Sequence, residues 1–258
     1  MSAGPTPIAI SSPWFSKTPV EEMAPLLAEH FCCWEIVGEY NHHLSISGPF
    51  LREFLKSNPL ALQVHAPLSD INIASFSEKV RDASITEVVE AVRMAAGLGA
   101  RMVTFHPGHL SPVAMLDPGR LRARTRDAVK IIARAGAENG MPLALENMPK
   151  MKLAAFPGPA DLLECVEGTD VGLCLDVGHC NTTGNLDDYI AVADRIRNIH
   201  IHDNNGGWDE HLELGAGNLP LEKVVSTLKP AYRGRWVIES RDLAEGIRSR
   251  DVLGRLLE

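Results

Sequence analysis

Short apolar runs alternate along the chain with longer segments in which apolar residues recur at helical spacing. The apolar runs have the length of strands, and turn residues bound several of them. The pattern predicts strands over residues 7–11, 33–37, 61–65, 101–106, 143–146, 171–176, 197–202 and 236–239. It predicts helices over residues 18–30, 51–56, 78–98, 120–137, 161–166, 186–193 and 221–228, with a last amphipathic segment ending at 257.

Two of these helices carry further signals. Thr18 and Glu21 have the spacing of a capping box, with Pro19 at the first helical position. Arg120 to Ala137 has a basic face. A solvated surface is the simplest interpretation of that face, and contact with nucleic acid is a less favoured one.

Eight strand–helix units in 258 residues average about 32 residues each, which is the period of a (β/α)8 TIM barrel. No linker or shift in composition divides the chain, so we expect one α/β domain over residues 1–258. The alternative is an open doubly wound sheet, which would more typically show a glycine-rich phosphate turn after an early strand. The sequence has no such turn.

Composition and net charge limit the kinds of molecule that the protein is expected to bind and the environment in which it is expected to occur. The net charge of −8 argues against a broad binding surface for nucleic acid or anionic membrane, although bound divalent cations would reverse its sign locally. No apolar stretch reaches membrane-spanning length. The cysteine count of five is odd and Cys32 adjoins Cys33, which is poor disulfide geometry. We therefore expect a reduced, soluble, cytoplasmic protein, with its oligomeric state left open.

Metal-ligating residue types stand at or just after most of the later strands. In a TIM barrel the carboxyl ends of the strands form the active-site face, so these residues are expected to meet there. One such histidine is more often structural than a ligand, but so many together favour a bound cation. Imidazoles and carboxylates suit zinc, manganese or iron. The candidates are His65, His106, Glu146, Asp176, His179, His200, His202 and Glu239, joined by Asp209 and His211 from the loop after the seventh strand.

The two-residue period of strands predicts which side chains point into the barrel. It places Asp176 and Glu146 on the inward face. His200 and His202 share one face, so spacing alone does not choose between them. Cys180 adjoins His179, and we interpret it as a buried structural thiol.

Seven short motifs occur in an order typical of one family. They are HAP at 65–67, HPG at 106–108, LEN at 145–147, LDVGH at 175–179, HIHD at 200–203, DEHLELGAG at 209–217 and VIES at 237–240. With them the chain resembles the AP endonuclease family 2, also called xylose isomerase-like TIM barrels. This superfamily holds endonuclease IV and sugar and sugar-phosphate isomerases and epimerases.

The resemblance implies a set of metal ligands. The family's His-x-x-Asp element selects His200, with Asp203 behind it, and leaves His202 behind the ligands. A mononuclear site, as in the isomerase branch, would use Glu146, Asp176, His200 and Glu239. In the endonuclease branch Glu146 also bridges to a second ion held by His65 and His106, and a third ion is held by His179, Asp209 and His211. All nine positions are filled, so the resemblance implies one to three zinc or manganese ions.

Two chemistries follow from this set. A sugar or sugar-phosphate isomerase or epimerase would use Glu146 and Glu239 as acid and base on a metal-held open-chain sugar. An endonuclease IV-like zinc phosphodiesterase would act on abasic DNA. The family's DNA-repair members carry an aromatic wedge after HAP, where this chain has Leu68-Ser69-Asp70. We favour the isomerase or epimerase, and a metal-binding barrel without turnover is the third alternative.

Four residues are candidates for contact with substrate. In the isomerase interpretation His179 would contact a substrate oxygen. Asn147 could orient substrate or a ligand carboxylate, and His202 could also contact substrate. Glu39 follows the second strand and is equally well interpreted as a pocket residue or as a solvated loop acid. No cluster of Arg or Lys indicates a site for a substrate phosphate.

Overall fold

Eight parallel strands close into a barrel in the computed structural model, which describes residues 8–258. Strand β1 pairs with β2 on one side and with β8 on the other, which closes the barrel without an edge. The strands are β1 (Ile8–Ser11), β2 (Cys33–Val37), β3 (Ala61–His65), β4 (Val103–Phe105), β5 (Leu143–Glu146), β6 (Gly172–Asp176), β7 (Ile196–Ile201) and β8 (Trp236–Glu239). The predicted (β/α)8 fold is therefore confirmed. Pro7, the first residue of the first predicted strand, lies outside the described residues.

Helices follow the strands and cover the outside of the barrel. They are α1 (Val20–Ala28), α2 (Leu44–Ser57), α3 (Glu78–Gly97), α4 (Pro118–Glu138), α5 (Pro159–Val166), α6 (Val177–Thr183), α7 (Leu186–Ile190), α8 (Leu221–Leu228) and α9 (Leu243–Leu257). Their buried apolar faces and the strands form one continuous core. No helix in residues 8–258 combines the length and the apolar character needed to cross a membrane.

The predicted start of α1 is wrong. Pro19 precedes the helix as its cap residue, and no side chain caps the first turn. Thr18 instead ends a short 3-10 helix at Pro13–Lys17, where its backbone N–H donates to the carbonyl of Phe15 at 3.0 Å. The Ser/Thr-to-Glu spacing therefore falls on a junction between two helical segments and forms no capping box.

The predicted range of α2 is also wrong, because this helix begins seven residues earlier, at Leu44. Pro49 lies inside it, although proline usually breaks a helix interior. Leu44, Ser47 and Gly48 are buried, so tertiary packing holds the first turns. After β6, the chain enters α6 at once, where the sequence had predicted no helix. There the Asp176 side chain accepts a hydrogen bond from the His179 N–H at 2.7 Å.

Polar side chains fill part of the barrel interior below the carboxyl ends of the strands. Asn198 on β7 donates to Thr104 on β4 at 2.9 Å and to Glu35 on β2 at 2.8 Å. Gln63 on β3 donates to Glu35 at 2.9 Å and to Asn198 at 3.2 Å. All four are buried. We call these four residues the polar floor of the barrel. The polar floor lies directly below the residues at the strand ends.

The basic face of α4 is engaged by acidic neighbours. Arg124 pairs with Glu78 at 2.8 Å, and Arg122 pairs with Asp161 at 2.7 Å. Arg126 pairs with Glu167 at 2.8 Å. These arginines tie α4 to the elements beside it, so much of the predicted basic face is neutralised within the chain.

Close packing between α4 and β5 depends on Gly136. A Cβ at this position would lie 2.7 Å from Leu143 Cδ1 and 3.0 Å from the Met141 carbonyl oxygen. We expect Gly136→Ala to lower the free energy of unfolding by about 1–3 kcal/mol in urea denaturation. The control is Gly254→Ala in α9, where a Cβ meets nothing within 4 Å. Equal stability of the two variants would contradict this packing.

Candidate metal centre

Imidazoles and carboxylates converge at the carboxyl ends of the strands in three neighbouring clusters, two of which share Glu146. In each cluster, one potential ligand atom per residue lies within 4.8 Å of those from the other members. The central cluster is Glu146, Asp176, His200 and Glu239; the histidine cluster is His65, His106 and Glu146; the loop cluster is His179, His202, Asp209 and His211. All nine residues named as ligands by the resemblance are thus brought together, in the predicted grouping, and His202 joins the third group.

Glu146, at the end of β5, links the central and histidine clusters. One of its carboxylate oxygens lies 3.0 Å from His65 Nε2 and 3.3 Å from His106 Nε2. The other lies 3.1 Å from His200 Nδ1. The side chain is almost completely buried, so its charge must be balanced by these groups or by a cation that they share.

Backbone acceptors fix which nitrogen of two imidazoles faces the clusters. His65 Nδ1 lies 2.8 Å from the carbonyl oxygen of Ala66, and His179 Nδ1 lies 2.6 Å from that of Asn147. A carbonyl oxygen only accepts, so Nδ1 donates in both rings and the neutral ring presents an unprotonated Nε2 to the cluster. The unprotonated Nε2 of His65 faces a carboxylate oxygen of Glu146, so the lone pairs of the two atoms repel each other. A cation bound by both atoms would remove this repulsion.

His200 is oriented in the same way by a residue that the sequence analysis missed. Its Nε2 lies 2.7 Å from Glu35, which leaves Nδ1 facing Glu146 and Glu239 at 3.1 Å each. A carboxylate behind a metal-binding imidazole is a common arrangement in metal sites. The signal in the sequence is a glutamate at an inward position within the apolar strand Cys33–Val37.

Asp203 has a different place from the one predicted. It does not stand behind His200, because Glu35 occupies that position. Its carboxylate accepts the backbone N–H groups of Gly215 at 2.9 Å and Leu219 at 3.0 Å. Asp203 therefore holds the loop between β7 and α8, which carries Asp209 and His211.

The loop cluster is built around the carboxylate of Asp209. One oxygen lies 3.2 Å from His179 Nε2 and 3.3 Å from His211 Nε2. The other lies 3.2 Å from His202 Nε2. His211 has a φ of 49°, a left-handed conformation that few residues other than glycine adopt. The backbone therefore bends sharply where it delivers this imidazole.

Asn147 and Glu39 occupy different positions relative to the clusters. Asn147 is buried; its side chain accepts from the Asp176 N–H at 2.7 Å and donates to the Asp176 carbonyl at 3.0 Å. It thus fixes Asp176 and, through its own carbonyl, His179. Glu39 belongs to none of the three clusters. Its carboxylate accepts hydrogen bonds from the backbone N–H groups of Leu68 and Ser69, and Glu39 lines a groove at the protein surface.

Cys174 and Cys180 both lie near the centre, but their side chains have different neighbours. Cys174 points inward beside Glu146 and His200, and burial raises the pKa of its thiol well above the usual value. Cys180 is buried and accepts a hydrogen bond from Asn147. It belongs to none of the ligand clusters found among the described residues.

Charge coupling within the centre is strong. Burial acts against the ionised form of Glu146, but His200, His106 and His65 hold the pKa of its carboxyl well below the usual value. Burial opposes a charged His202, yet Asp176 and Asp209 raise its pKa to about 9. Glu239 shows the same balance, since burial is outweighed by His200 and its pKa falls to about 2. The lowered pKa values of Glu146 and Glu239 favour their ionised forms, which positive charge must accompany.

The donor set fits divalent ions. Several buried polar atoms that face the clusters have no hydrogen-bond partner among residues 8–258, although charged atoms lie near them. These are Asp176 Oδ2, His202 Nε2, Asp209 Oδ1 and His211 Nδ1. Nitrogen and oxygen ligands with no required thiolate are the set expected for zinc or manganese. The central cluster would hold one ion, and each flanking cluster offers a set of potential ligands for another.

Fold and site together define a (β/α)8 barrel with an acidic–imidazole centre at the face where such barrels carry their active sites. The sequence profile of the family described as xylose isomerase-like TIM barrel matches residues 49–253. The chain belongs to this family.

Three proteins that are similar to this chain have been compared with it. An uncharacterized protein of Methanocaldococcus jannaschii is 33% identical over 242 residues, 90% of this chain and 83% of that protein. A probable endonuclease 4 of Mycobacterium ulcerans is 32% identical over 189 residues, 69% of this chain and 72% of that protein. The crystal structure of a D-tagatose 3-epimerase-like protein is 30% identical, with a TM-score of 0.91, and the match covers 97% of this chain and 96% of that one.

The contact between Glu35 and His200 predicts a loss of metal affinity on substitution. Glu35 accepts from His200 Nε2 with one oxygen and from Gln63 and Asn198 with the other. In Glu35→Gln the negative charge is lost and only one acceptor oxygen remains for both sets of donors, so the imidazole is held more weakly. We expect zinc affinity, measured by competition with a chelator, to fall about 10–100-fold. The control is Glu87→Gln, which alters a carboxylate–imidazole pair with His43 outside the centre. Unchanged zinc affinity in Glu35→Gln would refute this role.

The raised histidine pKa values predict how the metal-free protein responds to pH. An imidazole with a raised pKa stabilises the folded state fully below its unfolded value of 6.5, and this stabilisation disappears as pH rises through the folded value, about 9 for His202. The pKa values of His65, His179 and His200 are shifted in the same direction, whereas those of His42 and His106 are lowered.

We therefore expect chelator-treated protein to melt at a lower temperature at pH 9 than at pH 6.5 in calorimetry. Zinc competes with protons for the same nitrogens, so the stabilisation gained from added zinc should grow over this interval. A metal-free protein that becomes more stable toward pH 9 would contradict the coupling between these imidazoles and carboxylates.

Proposed function

We propose that the protein is a divalent-metal-dependent isomerase or epimerase that acts on a small sugar. The observation that carries this proposal is the placement of two glutamates in one buried site. Glu146 at the end of β5 and Glu239 at the end of β8 each lie 3.1 Å from His200 Nδ1. Their carboxylates therefore border one point from different strands of the barrel.

The two glutamates supply what proton transfer at a sugar carbon requires. A zinc or manganese ion in the central cluster would act as a Lewis acid that polarises a sugar carbonyl. One glutamate, ionised as its lowered pKa indicates, takes a proton from the carbon beside that carbonyl. The other glutamate takes up a proton from solvent and gives it to an adjacent carbon for isomerisation, or to the opposite face of the same carbon for epimerisation, and the first glutamate then releases its proton to solvent. Positioned acid–base groups of this kind contribute about 100- to 10,000-fold to rate.

The groups around the glutamates support a polar small-molecule substrate. Under this proposal His179 lies beside the site as a contact for a sugar oxygen. Asn147 fixes Asp176 and His179 and thereby positions the groups that meet substrate. Trp14 places its ring edge against His211, with centroids 5.5 Å apart, and provides an apolar surface at the rim.

Features expected of a DNA-binding face are weak in this chain. After HAP the loop carries Leu68, Ser69 and Asp70 in place of an aromatic wedge, and its backbone is fastened by Glu39. Asp70 is exposed there, where a phosphate would meet like charge. The net charge of −8 gives little electrostatic attraction for a polyanion.

An endonuclease IV-like zinc phosphodiesterase is the second candidate function. Two observations favour it: the histidine and loop clusters are complete beside the central cluster, and a probable endonuclease 4 is 32% identical. Clustered ions would generate a hydroxide nucleophile and stabilise the leaving oxygen of a phosphodiester. In that case His179 would be a metal ligand.

Substrate assays separate the two functions. We expect metal-loaded protein incubated with ketohexoses in deuterium oxide to form an epimer or isomer and to incorporate deuterium at the reacting carbon. Glu239→Gln should lower this rate at least about 100-fold because a proton-transfer group is lost. Glu53→Gln, a change in a surface ion pair on α2, is the control and should keep the wild-type rate.

A parallel assay uses duplex DNA that contains one abasic site. Glu146→Gln should abolish either activity, so this variant does not distinguish the two functions. The substrate that the wild-type protein converts distinguishes them. Metal-dependent nicking that Glu146→Gln abolishes, together with no change in any sugar, would overturn the isomerase or epimerase and establish the phosphodiesterase.

A further inference from the structure

His202 is the member of the loop cluster that the family resemblance does not count among the ligands. It follows β7 directly and points to the same face as His200, and its side chain has no exposed surface. Its Nε2 lies 3.3 Å from an Asp176 oxygen and 3.2 Å from an Asp209 oxygen. Neither approach has hydrogen-bond geometry, so a completely buried nitrogen faces two carboxylates through charge contacts alone.

The surroundings hold the His202 ring in this position. It stacks on His211 with centroids 4.0 Å apart and planes 19° from parallel. On another side lies Gly178, where a Cβ would be 2.1 Å from His202 Cε1 and 2.3 Å from Nε2. The start of α6 is therefore open to this imidazole only because position 178 has no side chain.

The four residues of the loop cluster are close enough to share one ion, since one potential ligand atom from each lies within 4.8 Å of the others. Ligand atoms about 2.0–2.1 Å from zinc in a tetrahedral site lie about 3.3–3.4 Å from one another. The distances from Asp209 oxygens to Nε2 of His179, His202 and His211 are 3.2, 3.2 and 3.3 Å. The Asp209 carboxylate uses one oxygen toward His202 and the other toward the remaining two imidazoles.

We propose that His202 is the fourth protein ligand of the ion held by His179, Asp209 and His211. The inference rests on the metal centre of the proposed function and assigns His179 to this ion, which replaces its role as a contact for a sugar oxygen. Three imidazoles and one carboxylate complete a tetrahedral zinc site, which leaves no position for water or substrate. This ion then fastens the β7–α8 loop to α6, and chemistry is confined to the other clusters.

Zinc titration of metal-free protein tests the proposal. In His202→Gln we expect one zinc equivalent to bind more than roughly 100-fold more weakly, beyond the usual effect of losing an outer partner of a ligand. The zinc bound through Glu146 should be unchanged. His43→Gln, which alters a histidine paired with Glu87 outside the centre, is the control.

A second readout uses cobalt in place of zinc. A four-coordinate site gives intense visible absorption, and in His202→Gln the share of that absorption due to the loop cluster should be lost. His202→Asn should behave in the same way, and calorimetry of both metal-free variants shows whether they fold. Folded variants with wild-type zinc affinity and cobalt absorption would overturn the proposal for His202 alone. Wild-type protein that binds no divalent ion would overturn it together with the metal centre.

Discussion

The burial of the Glu146 carboxylate among imidazoles is the constraint on which the rest of the site depends. An ionised carboxylate without water needs positive charge or hydrogen-bond donors at close range. His65, His106 and His200 supply contacts of 3.0–3.3 Å from three other strand ends or their loops. The closed barrel makes this possible because it brings residues distant in sequence to one rim.

The orientation of the imidazoles depends in turn on layers farther from the centre. Glu35 holds His200 from below, and Asn198 joins Glu35 to the polar floor of the barrel. Asn147 connects the end of β5 to Asp176 and His179. Substitutions in these supporting residues therefore act on the centre without touching a substrate. The loop cluster is fastened separately, through Asp203 and the backbone of the β7–α8 loop.

Much of the fold and of the centre could be predicted from the sequence, because strand-length apolar runs ending in His, Asp or Glu carry both signals at once. The sequence marks Glu35 as an inward glutamate in an apolar strand, but its role could not be predicted, because only the closed barrel brings it to His200. The early start of α2 was hidden because Pro49 signals a break that tertiary packing overrides. His202 could not be separated from His200 by spacing, because both follow the same two-residue period.

We propose that this centre binds divalent ions through the residues of the central cluster. Anomalous diffraction from crystals of the purified protein, recorded on both sides of the zinc and manganese absorption edges, tests it most directly. We expect a dominant anomalous peak within bonding distance of Glu146, Asp176, His200 and Glu239. A protein supplied with zinc and manganese that shows no anomalous peak among these four residues would contradict it.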